Sequence, residues 1–369
     1  DQADRVYSLS YENGNIKTIT DPAGRTVTYE YENGRLARAT DPMGGVTRYS
    51  YDAQGYLCEI RDHDSNLVER VEYDHTPGED RHRVYRTTDA YGNVHTYAYD
   101  DQSGKTVITD SNGRQTTQWY DGSYSITNNT DSEGKATLVE YFVDGDGINR
   151  YWEEKSVTDR NGNKTQYQRD AGGNITRITN PDNSTKTMAY DSRNNRISEK
   201  DEEGKYTFYL YDAEMKNLLK KAQPLNGTDL YAEGCDESLF AVTRYTYYTG
   251  AECQQLGYRA KGLLKSITDP EGNTTGYTYY PDGKVKTESD PETGLPTTCE
   301  YNGMGWKTAE ISPSGYGAEY AYDLCGRLEK TVLQGGETTR GTYDMTGKKT
   351  KEVTPNLYDA SLDNLAGHT

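Results

Sequence analysis

Aliphatic residues are scarce in this chain. Val, Ile, Leu and Phe number 15, 11, 21 and 3 among 369 residues, a share at which disorder would be the ordinary expectation. No apolar stretch approaches a membrane span, so membrane insertion by this segment is not expected. Basic runs are missing too, and the formal net charge is −18. Such a chain offers little to nucleic acid or an anionic membrane. The five cysteines, Cys58, Cys235, Cys253, Cys299 and Cys325, include no Cys-x-x-Cys pair, which argues against structural zinc. No secretory leader is present, and the chain begins inside a repeat, so both ends read as cut from something longer.

What is abundant is tyrosine, with 35 residues, and it is periodic. Tyr11, Tyr31, Tyr51, Tyr73, Tyr99, Tyr120, Tyr141, Tyr190, Tyr211, Tyr247, Tyr279, Tyr301, Tyr322 and Tyr343 occupy equivalent places, and Arg169 fills the one vacant beat. A fixed short period means a repeat architecture, here of about fifteen units. Tyrosine buries a large apolar area and needs only a partner for its hydroxyl. It can therefore replace an aliphatic core in a thin, layered structure.

Residues 21–44 show the unit. Asp21-Pro22-Ala23-Gly24 is followed by Tyr29-Glu30-Tyr31, then Asn33-Gly34-Arg35-Leu36, then Asp41-Pro42-Met43-Gly44. Asp-Pro-x-Gly suits a tight turn. Asn-Gly is a strong hairpin signal, found at 13–14, 33–34, 112–113, 161–162 and 302–303. Tyr-x-Tyr alternation between the turns puts both rings on one face of a strand. The expectation is a continuous antiparallel β meander. One irregularity recurs: apolar residues spaced by three, as at Ile16 and Ile19, Leu36 and Ala39, and Ile175 and Ile178. Simple alternation would split each pair between faces, and a β-bulge would reunite it.

Three insertions interrupt the rhythm, at 74–84, at 144–150 and at about 222–262. The expected division is repeats over 1–221, an irregular insertion over 222–262, and repeats with a tail over 263–369. Cys235 and Cys253 both fall in the insertion, and they are the pair a loop-closing disulfide would join in an extracellular setting.

The motifs resemble a known family. Tyr322-Asp323-Leu324-Cys325-Gly326-Arg327-Leu328, Tyr51-Asp52-Ala53-Gln54-Gly55 and Tyr343-Asp344-Met345-Thr346-Gly347 have the form of YD repeats of the RHS type. So does Asp269-Pro270-Glu271-Gly272 followed by Tyr277-Thr278-Tyr279. Such repeats occur in bacterial RHS polymorphic toxins, wall-associated proteins, the C components of insecticidal Tc toxins, and animal teneurins. The resemblance implies an all-β chain of tandem hairpins whose sheet spirals into an open, partial hollow shell. Its structural positions here are Tyr31, Tyr51, Tyr99, Tyr120, Tyr190, Tyr211, Tyr279, Tyr301, Tyr322 and Tyr343, with the turn glycines Gly34, Gly55 and Gly326. In the toxins the shell ends in a segment that cleaves itself at aspartate. Asp290-Pro291-Glu292-Thr293-Gly294-Leu295 has some likeness to that motif but sits in register with ordinary turns, so no protease activity is expected of it.

Other chemistry is thinly supported. His63, His75, His82 and His95 lack metal-ligand spacing. Asp144-Gly145-Asp146-Gly147-Ile148-Asn149 starts like a calcium loop but lacks its further acidic ligands. Carboxylates sit in every unit, whereas catalysis requires a unique constellation. No enzyme, metal or cofactor is expected. The expected role is a structural shell or scaffold segment of a secreted or surface-displayed bacterial protein, helping to encapsulate or present a C-terminal toxin polypeptide. Its partners would be that cargo or other repeats of the same parent. The alternative is a cell-surface adhesin that uses its aromatic-rich repeats on glycans or neighbouring cells, with Trp119, Trp152 and Trp306 marking local patches.

Overall fold

The computed structural model describes residues 6–21, 24–76, 82–145, 147, 152–214, 217–227, 230–232, 234–258, 262–344 and 347–358. Asp146 and Asn149 of the calcium-like segment lie outside these, as do residues 77–81 of the first insertion. The described residues form thirty strands, joined in one thirty-stranded sheet, with one short α-helix and two short 3-10 turns. Wherever register is defined, each strand runs antiparallel to the next in the chain. The pair Thr26–Glu32 with Arg35–Thr40 and the pair Thr185–Tyr190 with Arg196–Lys200 are typical. Two compact units divide the chain, one of residues 1–69 with 245–369, the other of residues 70–244.

The spacing by three has a single cause. Register shifts fall immediately before the periodic residue, between Ser10 and Tyr11, Glu30 and Tyr31, Ser50 and Tyr51, Gln168 and Arg169, and Ala321 and Tyr322. One residue of the facing strand is left over as a bulge. Ile16 then opposes Tyr11 while Ile19 opposes Leu9, and Leu36 opposes Tyr31 while Ala39 opposes Tyr29. Residues three apart therefore share a face, and the bulge is a regular part of every such unit.

The turns use aspartate. Its N–H donates to the carbonyl four residues on, its own carbonyl accepts from the N–H three residues on, and its side chain caps the loop. Asp41 shows the pattern, with Oδ1 accepting from Met43 N at 2.8 Å and Gly45 N at 2.9 Å. Asn-Gly builds a two-residue hairpin only at 13–14 and 33–34, where both residues have positive φ (51° and 82°, 51° and 78°). At 112–113, 161–162 and 302–303 the same dipeptide is absorbed into a four-residue turn led by Asp110, Asp159 or Asn302. The side-chain cap sets the loop length there, overriding the local dipeptide signal.

The sheet is thin. Among the described hydrophobic residues only Phe208, Ala222, Phe240, Val242, Cys253, Tyr279, Cys299, Ala309 and Val353 are buried. Most strand positions are half-buried, so the tyrosines cover the sheet without forming a deep centre. Among the described residues, the one cluster of buried hydrophobic side chains forms where the large insertion meets the sheet. Strand Phe240–Tyr247 lies within 222–262 yet pairs with strand Leu218–Pro224, so the sheet continues through the insertion. Tyr231 and Cys235 fold back onto Phe208, Ala222, Phe240 and Val242. Glu237 pins that fold-back, accepting from Lys220 Nζ at 2.6 Å and Tyr231 Oη at 2.7 Å and pairing with Arg244. Those partners, Lys220 first, hold its carboxyl at about 2.

Cys235 and Cys253 are free thiols, and the expected disulfide is not formed. Each is held by its own local packing. Cys235 joins the Phe208 cluster. Cys253 is buried on the helix Gly250–Leu256, which Thr249 and Glu252 start with a capping box.

Candidate functional site: tyrosine ladder, seam and groove

Eight of the periodic tyrosines fulfil one bonding rule. Tyr51 Oη donates to the Leu36 carbonyl at 2.9 Å, fifteen residues back. Tyr99 reaches Val84 at 2.7 Å, Tyr141 reaches Ile126 at 3.1 Å, Tyr190 reaches Ile175 at 3.1 Å and Tyr211 reaches Arg196 at 3.0 Å. Tyr279 reaches Leu264 at 2.7 Å, Tyr322 reaches Lys307 at 2.8 Å and Tyr343 reaches Leu328 at 2.9 Å. Where register is defined, the acceptor is the residue that opposes the preceding unit's periodic side chain across the bulge. Leu36 faces Tyr31, Arg196 faces Tyr190, and Leu328 faces Tyr322. A bulge disturbs the sheet ladder locally. At these eight rungs the next tyrosine supplies a donor, so the unit completes the one before it.

Other expected positions differ. Among the described residues Tyr31 makes no hydroxyl bond of this kind. Tyr120 donates to the side chain of Gln118 at 3.0 Å. Tyr301 meets the ring of Tyr280 edge-on at 5.9 Å. Arg169 replaces the hydroxyl with a guanidinium donating to the Gly173 carbonyl at 2.9 Å. Tyr279 is the most enclosed of the ladder, packed against Tyr248 and Tyr258. Burial first, then the phenols of Tyr277, Tyr248 and Tyr258, pushes its pKa up to about 12.

The turn carboxylates are shifted the other way. Asp89, Asp159, Asp170 and Asp269 lie below the usual carboxylate range, first because the Asn four residues on donates its side-chain N–H. These groups are spent on holding loops. Asp290 behaves alike, with Oδ1 accepting from Glu292 N and Thr293 N at 3.1 and 2.8 Å. His75 and His82 bond each other through Nδ1 at 2.8 Å, and His63 pairs with Asp64. No group of three metal-ligating side chains occurs among the described residues.

Within the unit formed by both chain ends, turns from distant repeats meet in a seam. Arg25 lies over the Trp306 ring at 4.4 Å and donates to the Leu324 carbonyl at 2.5 Å. Arg327 approaches Met43 Sδ at 3.1 Å. Gly326 (φ 83°) lies flat against Trp306, where a Cβ would run into the indole. Sequence pattern marked Trp306 as a break in the rhythm, but a contact across 299 residues leaves no local signal.

In the other unit, an open groove of about 940 Å³ runs between consecutive turns, lined by Arg83, Tyr99, Asp101, Lys105, Tyr120 and Tyr124 among others. Tyr124 occupies the turn position that glycine fills in most units. Its N–H donates to the Asp121 carbonyl at 3.0 Å, as the glycines do, with φ at 61°.

Bulged hairpins in tandem, many of them closing their predecessor through a tyrosine, define a β-hairpin repeat protein. Residues 11–42, 32–66 and 154–185 match the model of the RHS Repeat family, so these segments are RHS repeats. It is 32% identical over 154 residues to the tRNA3(Ser)-specific nuclease WapA of Bacillus spizizenii, a match covering 38% of this chain and 6% of that protein. Among solved structures it is similar to a mutant Photorhabdus luminescens Tc holotoxin pore, at 16% identity and a TM-score of 0.41, covering 95% of this chain and 22% of that one. A TcdB2–TccC3–TEV crystal structure is similar at 13% identity and a TM-score of 0.37, with the same coverage. The chain thus spans a small fraction of each relative.

Proposed function

We propose that this segment is part of the wall of a shell through which a secreted or surface-displayed parent protein encloses or presents a C-terminal polypeptide. The observation that carries the reading is the tyrosine-to-bulge bond, repeated at a separation of fifteen residues from Tyr51 to Tyr343. It commits the characteristic side chain of eight units to holding the neighbouring unit. A sheet one layer thick with half-buried residues on both faces is suited to separating two aqueous spaces. The relative WapA is named a nuclease, and a nuclease is one kind of polypeptide such a parent would carry. The seam at Arg25, Trp306 and Leu324 would hold distant parts of the strip together.

The test is native mass spectrometry of the full-length parent. A separate C-terminal fragment that stays associated with the repeats until denaturant is added supports enclosure. An intact chain whose C-terminal region is cut by added protease as fast as an isolated polypeptide overturns it.

A further inference from the structure

Tyr124 is an anomaly that the wall does not need. Bulky side chains are disfavoured at positive φ, and an aromatic held there points to a local role. The residue is 72% exposed and lines the groove, as does Tyr99. The charges around the groove are largely paired with one another. Arg83 Nη2 donates to both oxygens of Asp101, at 2.8 and 2.9 Å, and lies over the Tyr99 ring at 4.9 Å. Lys105 Nζ is 3.8 Å from Asp100, and Asp121 Oδ1 holds the N–H groups of Ser123 and Ser125 at 2.8 and 3.0 Å. The volume is that of a small-molecule site, but open along its length.

We infer that this groove binds a neutral oligosaccharide, with Tyr124 as the stacking platform. Paired charges give an ionic ligand little net attraction. An exposed aromatic face attracts the weakly positive C–H faces of a pyranose ring. Gln102 and Ser103, which line the groove, supply hydroxyl partners. An open groove admits several sugar rings, which a closed pocket would exclude. This site is independent of whether the parent encloses a cargo.

The experiment measures binding of chitotetraose, cellotetraose and maltotetraose to the chain by calorimetry, for the parent sequence, Tyr124→Gly and Tyr91→Ala. Glycine restores the residue the turn geometry favours, so Tyr124→Gly keeps or raises Tm while removing the platform. Tyr91 is 84% exposed but outside the groove and serves as the control. The expected result is saturable binding of at least one sugar, weakened about tenfold or more in Tyr124→Gly and unchanged in Tyr91→Ala. No saturable binding of any of the three sugars overturns the inference. So does binding that survives Tyr124→Gly, or that falls equally in Tyr91→Ala.

Discussion

Replacing Tyr279 with Phe removes one hydroxyl and leaves the ring that packs against Tyr248 and Tyr258. The lost bond, 2.7 Å to the Leu264 carbonyl, lies at the most enclosed rung of the ladder. A typical hydrogen bond contributes about 1 kcal/mol net, and stranding a buried acceptor raises the cost to about 1–3 kcal/mol. Tyr343→Phe breaks the same bond at an exposed rung, where water replaces the donor, and should cost about 0.5 kcal/mol. Tyr31→Phe breaks none and should cost close to nothing. Repeat proteins open locally, so the assay is amide hydrogen exchange over strands Leu264–Thr268 and Thr274–Tyr279. Exchange there should quicken about five- to hundredfold in Tyr279→Phe and hardly at all in Tyr31→Phe. Equal effects at positions 279, 343 and 31 would refute the ladder as a source of stability.

Three further outcomes are expected. Acid should loosen the turns, because Asp89, Asp159, Asp170 and Asp269 have folded pKa values below their unfolded ones. Their contribution is present above about pH 4 and is lost as pH falls through the folded values, and circular dichroism against pH would show whether the loss comes instead near neutrality. Alkali works in the opposite sense at Tyr279, whose folded pKa is raised. Its contribution is complete below the unfolded value of about 10 and disappears as pH rises to about 12, so tyrosinate absorbance should appear late and together with unfolding. Glycine substitutions should separate turn from seam. Gly336→Ala (φ 87°, open space) meets only the left-handed backbone cost of about 1–2 kcal/mol. Gly326→Ala must also displace Trp306 and should be measurably worse in urea unfolding, while speeding exchange at the Asp21 and Asp41 turns.

The sequence made the architecture legible because the repeat writes the same local physics many times. Tyr-x-Tyr, the aspartate turn and the apolar spacing at Leu36 and Ala39 each depend on residues close in the chain. The bulge followed from that spacing as a geometric requirement. What lay hidden was of two kinds. The acceptor of Tyr51 is a backbone carbonyl, and every residue has one, so composition does not mark Leu36 as its partner. The seam joins Arg25 to Leu324 across 299 residues, and no local pattern announces a contact at that separation. Cys235 and Cys253 misled for a related reason. Closeness in an insertion suggested pairing, but Cys235 follows Tyr231 onto the Phe208 cluster while Cys253 is committed to its capped helix.

The ladder also has a direction. Each hydroxyl reaches back fifteen residues, as Tyr190 does to Ile175, so the acceptor always leaves the ribosome before its donor. A growing chain can therefore lock hairpin after hairpin onto what has already folded, without waiting for its C-terminus. The loop closed at each step is short, which keeps the entropy of closure low. A gene that duplicates one complete hairpin inherits both halves of the bond, whereas one that duplicates a single strand inherits only one.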